Sequence, residues 1–118
     1  MKCPAHAMPS APLKLRVVRR ERWPEGDTRI TFYAIPLPYR RKPIVPSRAP
    51  EKIATVPIAC AYASQTTVTN HGLRKEPGGI PLVYRETDGT YTIGDGHHRF
   101  VRAMLRGKKT IRARVVTA

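Results

Sequence analysis

Nine of the twelve prolines lie in residues 1–50. Each proline fixes φ and removes a backbone donor, which bars those positions from helix interiors and central strands. The N-terminal half must therefore be built from extended segments, edge strands and turns. Within it, LKLRVVRR (13–20) and TRITFYAI (28–35) alternate loosely and flank ERWPEGD, which supplies Pro and Gly for a turn. That pattern predicts a β-hairpin. IPLPYRRKPIVPSRAP (35–50) predicts a basic, extended connector. The expected division is a basic, Pro-rich extension over 1–50 and a folded domain over 51–118.

The second half has the opposite character. IATVPIACAYA (53–63) opens as a strand, and SQTTVTNHGLRKE (64–76) has room for a short helix that its threonines disfavour. IPLVYR (80–85) and TYTIGD (90–95) flank ETDG, so a second hairpin is expected there. At 100° per residue, Phe100, Val101, Met104 and Leu105 share one arc, with Arg99, Arg102 and Arg106 opposite. This predicts an amphipathic helix over 99–106, starting near His97 or His98 and stopped by Gly107. Next, Thr110, Arg112 and Arg114 alternate with Ile111, Ala113 and Val115, as in a half-buried strand. The expected fold class is α/β (α+β), a small mixed sheet with a helix after a Gly-His-His-Arg loop, plus the N-terminal hairpin.

Charge narrows the partners. The net charge is +14 and the pI about 10.8. Residues 1–50 carry eleven Lys/Arg against three acids, and 51–118 carry eleven against five, so the excess is +8 and +6. A chain basic along its whole length repels itself, and a polyanion relieves that repulsion; nucleic acid is the commonest one. No run of eighteen apolar residues exists to span a membrane. The opening MKCPAHAMPSAP lacks the apolar core of a secretory signal, and Cys3 and Cys60 do not make a disulfide framework. A cytoplasmic protein of a bacterium, plasmid or phage is expected. Cys3-x-x-His6 has metal-like spacing, but its second pair is absent.

GDGHHRF (94–100) gathers the groups capable of chemistry. Gly94 and Gly96 permit positive φ and close backbone approach to a ligand. The helix start supplies unpaired N–H groups and a positive dipole end, a natural anion site. Arg99 can fork onto a phosphate, and His97 and His98 can donate or exchange protons near neutral pH. Asp95 could pair with Arg99, cap the helix, or hold a divalent metal. His97 also falls on the apolar side of the helix, where a packed histidine is the alternative. Candidate nucleic-acid contacts are Arg102, Arg106, Lys108 and Lys109 beside the loop, and Arg40, Arg41 and Lys42 in the connector. His71 could line the site. Trp23, Phe32, Tyr33 and Tyr39 could stack on bases or form the hairpin's own small core.

PLVYRETDGTYTIGDGHHRFVRAMLRGKKTIRARVV (81–116) resembles the ParB/sulfiredoxin superfamily: apolar strand, turn, second strand, Gly-x-His-Arg, amphipathic helix, Gly and final strand. YASQTTVT (62–69), with Gln65, is similar to its upstream segment. The resemblance covers residues 53–116. It implies a ParB/sulfiredoxin-type mixed sheet and a phosphate or nucleotide site at Gly96, His98 and Arg99, to which the loop reading adds Gly94. It also implies a nucleoside triphosphate, CTP or ATP, with Mg2+ as cofactor, and DNA and a second copy of the chain as partners. Where sulfiredoxins place their cysteine, this sequence has His97, so thiol chemistry is not expected. The chain ends at Ala118, right after the final strand, leaving no room for the helix-turn-helix domain of partition proteins. Sequence-specific operator binding is therefore not expected.

Three functions compete. One is a DNA-associated ParB-like module that binds nucleotide or nucleic-acid phosphate. Another is a metal-dependent ParB-like nuclease or nucleotide hydrolase, with Asp95 holding the metal, His97 or His98 as base and Arg99 stabilising charge. The third is a basic interaction protein of a plasmid or phage assembly. Eight acidic residues in the whole chain weigh against the enzyme. A ββα-metal site is disfavoured too, since residues 99–106 offer no His, Asn or Asp.

Overall fold

The two alternating N-terminal segments do pair. In the computed structural model, which describes residues 3–8, 12–24, 28–75 and 79–117, β1 (Val17–Trp23) and β2 (Thr28–Ala34) run antiparallel, with a bulge between Val17 and Arg19. Part of the turn that joins them lies outside the described residues. Along the rest of the chain come β3 (Glu51–Pro57), a 3-10 turn (Ile58–Cys60), β4 (Ala61–Tyr62), β5 (Thr67–Thr69) and α1 (Asn70–Arg74). Then follow β6 (Leu82–Arg85), β7 (Tyr91–Asp95), α2 (His97–Leu105) and β8 (Thr110–Thr117). The class is α+β, with two sheets and two short helices.

One sheet has the order β1-β2-β5 and the other β3-β8-β6-β7-β4. The second is mixed. β6 and β7 form the expected antiparallel hairpin, while β8 lies parallel to β6 and antiparallel to β3. Parallel neighbours need a crossover, and α2 is part of it. β2 pairs with β5, so the N-terminal hairpin and the later residues share a sheet. The Pro-rich connector forms no helix or strand, as proline dictates, yet it lies against the fold. Ile35 and Leu37 are buried in the common core, and Arg40 N–H donates to Ala63 C=O at 2.7 Å.

That core is built where α2 covers the five-stranded sheet. Val56, Ile58, Val83, Ile93, Phe100, Val101 and Ala113 are all fully buried. The helix starts at His97, two residues before the phase pattern alone marks it, and buries Phe100, Val101, Ala103 and Met104. Leu105 departs from expectation. It sits at the helix end beside a surface hollow lined by Leu15, Tyr33 and Leu73, and is 42% exposed. A single disulfide joins Cys3 to Cys60, and His6 Nε2 donates to Ala61 C=O at 2.9 Å, strapping residues 3–8 to the 3-10 turn. Both members of the Cys3/His6 pair are thereby engaged.

α2 stops as Gly107 predicts. Gly107 has φ +73°, its N–H bonds Met104 C=O at 2.9 Å, and Lys108 N–H bonds Ala103 C=O at 3.0 Å. This is a Schellman ending. A Cβ at Gly107 meets nothing, whereas one at Gly96 (φ +94°) would come within 2.6 Å of Pro81 Cβ. Gly107→Ala should cost about 1 kcal/mol, the left-handed penalty alone. Gly96→Ala adds overpacking and should cost about 2–4 kcal/mol. Urea melts check the ranking; equal costs would refute the packing account of Gly96.

Candidate phosphate-binding cleft

The loop between β7 and α2 is shaped by what packs on it. A Cβ at Gly94 would approach the Tyr84 ring to 2.5 Å, and Gly96 abuts Pro81. Both glycines are thus required by contacts within the protein. Gly96 is the N-cap of α2 and no side chain caps the helix, so Asp95 does not act as a cap.

The two histidines hold the upstream segment. His97 is buried, and its Nε2 accepts from Ser64 N–H at 2.9 Å, while the Ser64 hydroxyl donates to Ile93 C=O at 2.6 Å. His98 Nε2 accepts from Thr69 N–H at 3.2 Å, and its ring covers Gly72, where no Cβ would fit. Thr69 in turn caps α1, its hydroxyl accepting from Gly72 N–H at 3.0 Å. Each imidazole therefore presents the Nε2 lone pair to a backbone N–H, and the proton sits on Nδ1. Burial, and then the charges of Lys42 and His98, push the His97 pKa down to about 4 against the opposing pull of Asp95. Burial first and Arg102 second lower that of His98. Both rings are neutral at pH 7. The packed-histidine alternative describes His97; a base role at either ring would have to use a nitrogen other than Nε2.

The cations that the histidines do not provide come from the helix face and β8. Arg99 and Arg102 from α2 and Arg106 at its C-cap meet Lys108 and Arg112 around a cleft of about 470 Å³, floored by Thr55, Pro81 and Ile111. Among the described residues no acidic side chain lines it. A second cleft of about 370 Å³ shares Gly79, Ile80, Pro81 and Arg99 with the first and adds Asp95, Gly96, Ile53 and Arg114. Arg99 anchors the wall between them by donating to Gly79 C=O. Arg102 donates to Gly72 C=O at 3.1 Å, and its Nε is buried without a partner among the described residues. Asp95 is exposed at one end of this cationic strip.

Of the expected nucleic-acid contacts, Arg102, Arg106 and Lys108 line the cleft, while Lys109 is exposed beside it, its C=O accepting from Ile58 N–H. Arg41 and Lys42 are exposed, but Arg40 is turned inward. Its guanidinium lies 4.0 Å above the Tyr62 ring and its Nε donates to Thr92 Oγ1 at 2.9 Å, so Arg40 is a packing residue. His71 lies on α1 and lines neither cleft. Arg19 covers Phe32 at 3.8 Å, which leaves Trp23 and Tyr39 as the exposed aromatics of the set. Ser64, Thr69 and Gly72 were not singled out in the sequence, because only the fold brings them to the histidines. Arg112 and Thr55 join the cleft through the β3–β8 register, in which they are partners.

Metal ligation fits poorly. Among the described residues no group of three or more His, Cys, Asp or Glu could hold an ion. Asp95 shares its cleft with Arg99 and Arg114, whose charges oppose a cation there. No protein family matches the chain, and no curated protein matches it.

The buried His97 imidazole gives stability a pH dependence. Unfolded His97 takes its proton near pH 6.5 and folded His97 near pH 4, so the unfolded state binds more protons in between. This contribution is complete above about pH 6.5 and is lost as pH falls toward 4. His97→Ala should cost about 2–4 kcal/mol at pH 7, from the cavity and an orphaned Ser64 N–H. His97→Gln can still accept that N–H, so it should lose less and flatten the stability profile between these pH values. An unchanged profile in His97→Gln would show that another group causes the acid sensitivity.

Proposed function

We propose that the protein binds the phosphate backbone of nucleic acid in the cleft between α2 and β8, with little regard to sequence. One observation carries this: five cationic side chains converge on a concave site whose described lining holds no acid. Such a site stabilises an anion by charge and by guanidinium forks, and nothing in it presents a helix to read base edges. The resemblance of residues 81–116 to the ParB/sulfiredoxin superfamily supports the same reading, with the phosphate contact moved from the histidine rings to the arginines that follow them. Gly96 belongs to the adjoining cleft that shares Arg99 with this one; a nucleoside triphosphate such as CTP or ATP, bringing its own Mg2+, is a competing ligand for the cleft.

Among the described residues no helix is long and apolar enough to cross a membrane. We assign the protein to the cytoplasm, beside its nucleic acid. A persistent Cys3–Cys60 bridge belongs to oxidising compartments, so the thiol state in cell extracts tests that assignment.

Affinity for labelled DNA should fall steeply with salt and vary little with sequence. Replacing Arg106, Lys108 and Arg112 together by Ala should reduce the slope of log affinity against log salt by about 3, close to one per phosphate contact. An undiminished slope in that variant would remove the cleft from the interface. Asp95→Asn gives a separate test. It removes the negative charge from the cationic strip, so DNA binding should tighten about two- to fivefold, the scale of one partly screened charge. Metal-dependent cleavage that disappears in Asp95→Asn would instead favour the nuclease alternative.

A further inference from the structure

Residues 3–8 form no helix or strand, yet they lie against the fold. Cys3 is bridged to Cys60, His6 N–H donates to Ala59 C=O at 3.0 Å, and His6 Nε2 donates to Ala61 C=O at 2.9 Å. These partners are consecutive residues, so the segment is fastened at one point with Cys60 at its centre. Beyond that point the His6 ring stands edge to face with Tyr62, centroids 6.0 Å apart, and Met8 packs against the core.

The core does not run through this segment. Its buried cluster spans Ile35 to Val115, and Met8 touches it only as a partly buried neighbour. Ordering each backbone residue costs conformational entropy, and a few hydrogen bonds offset little of it. A covalent bridge removes that freedom from the open state. The His6 contacts therefore depend on the bridge, and the bridge is the part of the fastening that redox chemistry can undo. It is also reachable. Cys3 is partly exposed, whereas Cys60 is 6% exposed. Both line a hollow of about 380 Å³ with Ala5, Arg85 and Tyr91. An incoming thiolate can attack the Cys3 sulfur, and Arg85 favours the negative charge that departs on the Cys60 sulfur.

We propose that Cys3 and Cys60 form a reversible thiol–disulfide clasp, worked by a small thiol of the glutathione class. Oxidised, it fastens the N-terminal segment over the 3-10 turn; reduced, it releases it. The exchange takes two steps. One glutathione thiolate bonds the Cys3 sulfur and breaks the Cys3–Cys60 bond, and the electron pair leaves on Cys60. A second thiolate then bonds the glutathione sulfur of the mixed disulfide and frees Cys3. Two glutathione thiols thus give up two electrons and two protons as they join in a disulfide, and the protein bridge takes them up as two thiols. Release uncovers Cys60 and opens the hollow to solvent. Neither cysteine lines the phosphate clefts, so the clasp is independent of them. In a cytosol, where permanent disulfides are rare, a bridge of this kind is a transient one.

The full chain, equilibrated over a series of reduced-to-oxidised glutathione ratios, tests this. Maleimide mass-tagging counts the free thiols, and NMR follows amide hydrogen exchange. The bridge should pass from closed to open across ratios that include those of a cytosol, and should re-form on oxidation. On reduction the His6 amide should exchange at least about tenfold faster, while the amides of α2 and β8 keep their protection. Cys3→Ser should show the reduced profile in any buffer. A His6 amide that stays protected in Cys3→Ser overturns the clasp. So does a bridge that survives a cytosolic excess of reduced glutathione, because it is then a permanent staple. Loss of protection in α2 and β8 together with the segment overturns it too, because the bridge then holds the whole domain.

Discussion

Two backbone N–H groups, those of Ser64 and Thr69, end on the imidazole nitrogens of adjacent histidines at the start of α2. Much else follows from that pair of bonds. Residues 64–69 link the two sheets, because β4 belongs to one and β5 to the other. Successive residues at a helix start project about 100° apart, so His97 and His98 can reach two different points of the same passing segment. Each accepting nitrogen satisfies a part-buried backbone donor. Gly72 completes the fit by leaving room for the His98 ring.

The same pair decides where charge can act. A ring that accepts a backbone N–H in a buried site stays neutral, so the loop with the most titratable groups holds little positive charge of its own. The charge begins at the next residue, Arg99, and continues along the helix at Arg102 and Arg106. Their spacing places them on the helix face turned from the core, and the α2–β8 crossover returns Arg112 to the opposite wall. An apolar face toward the sheet and a cationic face toward a groove are two outcomes of one amphipathic pattern.

Elements with strong local signals were legible in the sequence. The two hairpins, α2, its glycine stop and β8 all follow from alternation, turn residues and the 3.6 period. What escaped was non-local. Arg40 reads as one of three flexible cations, yet a bridge to Ala63 carries the connector across Tyr62, and the guanidinium packs there. The hairpin reads as an extension, yet β2 pairs with β5 thirty-odd residues away. The glycines of GDG read as ligand-approach residues, and neither Tyr84 nor Pro81 is adjacent in sequence to reveal why each side chain is forbidden. The acceptor role of the histidines was equally hidden, since a backbone N–H leaves no mark in the sequence.

The cleft has a cost that the fold must offset. Two like charges about 8 Å apart in a water-like medium repel by about 0.5 kcal/mol. Five cations around one cleft therefore repel one another at a net cost that the fold must offset within a domain stability of about 5–15 kcal/mol. Arg99 and Arg102 also serve the fold, by donating to the carbonyls of Gly79 and Gly72. Under the proposed function, a bound polyanion turns that repulsion into attraction.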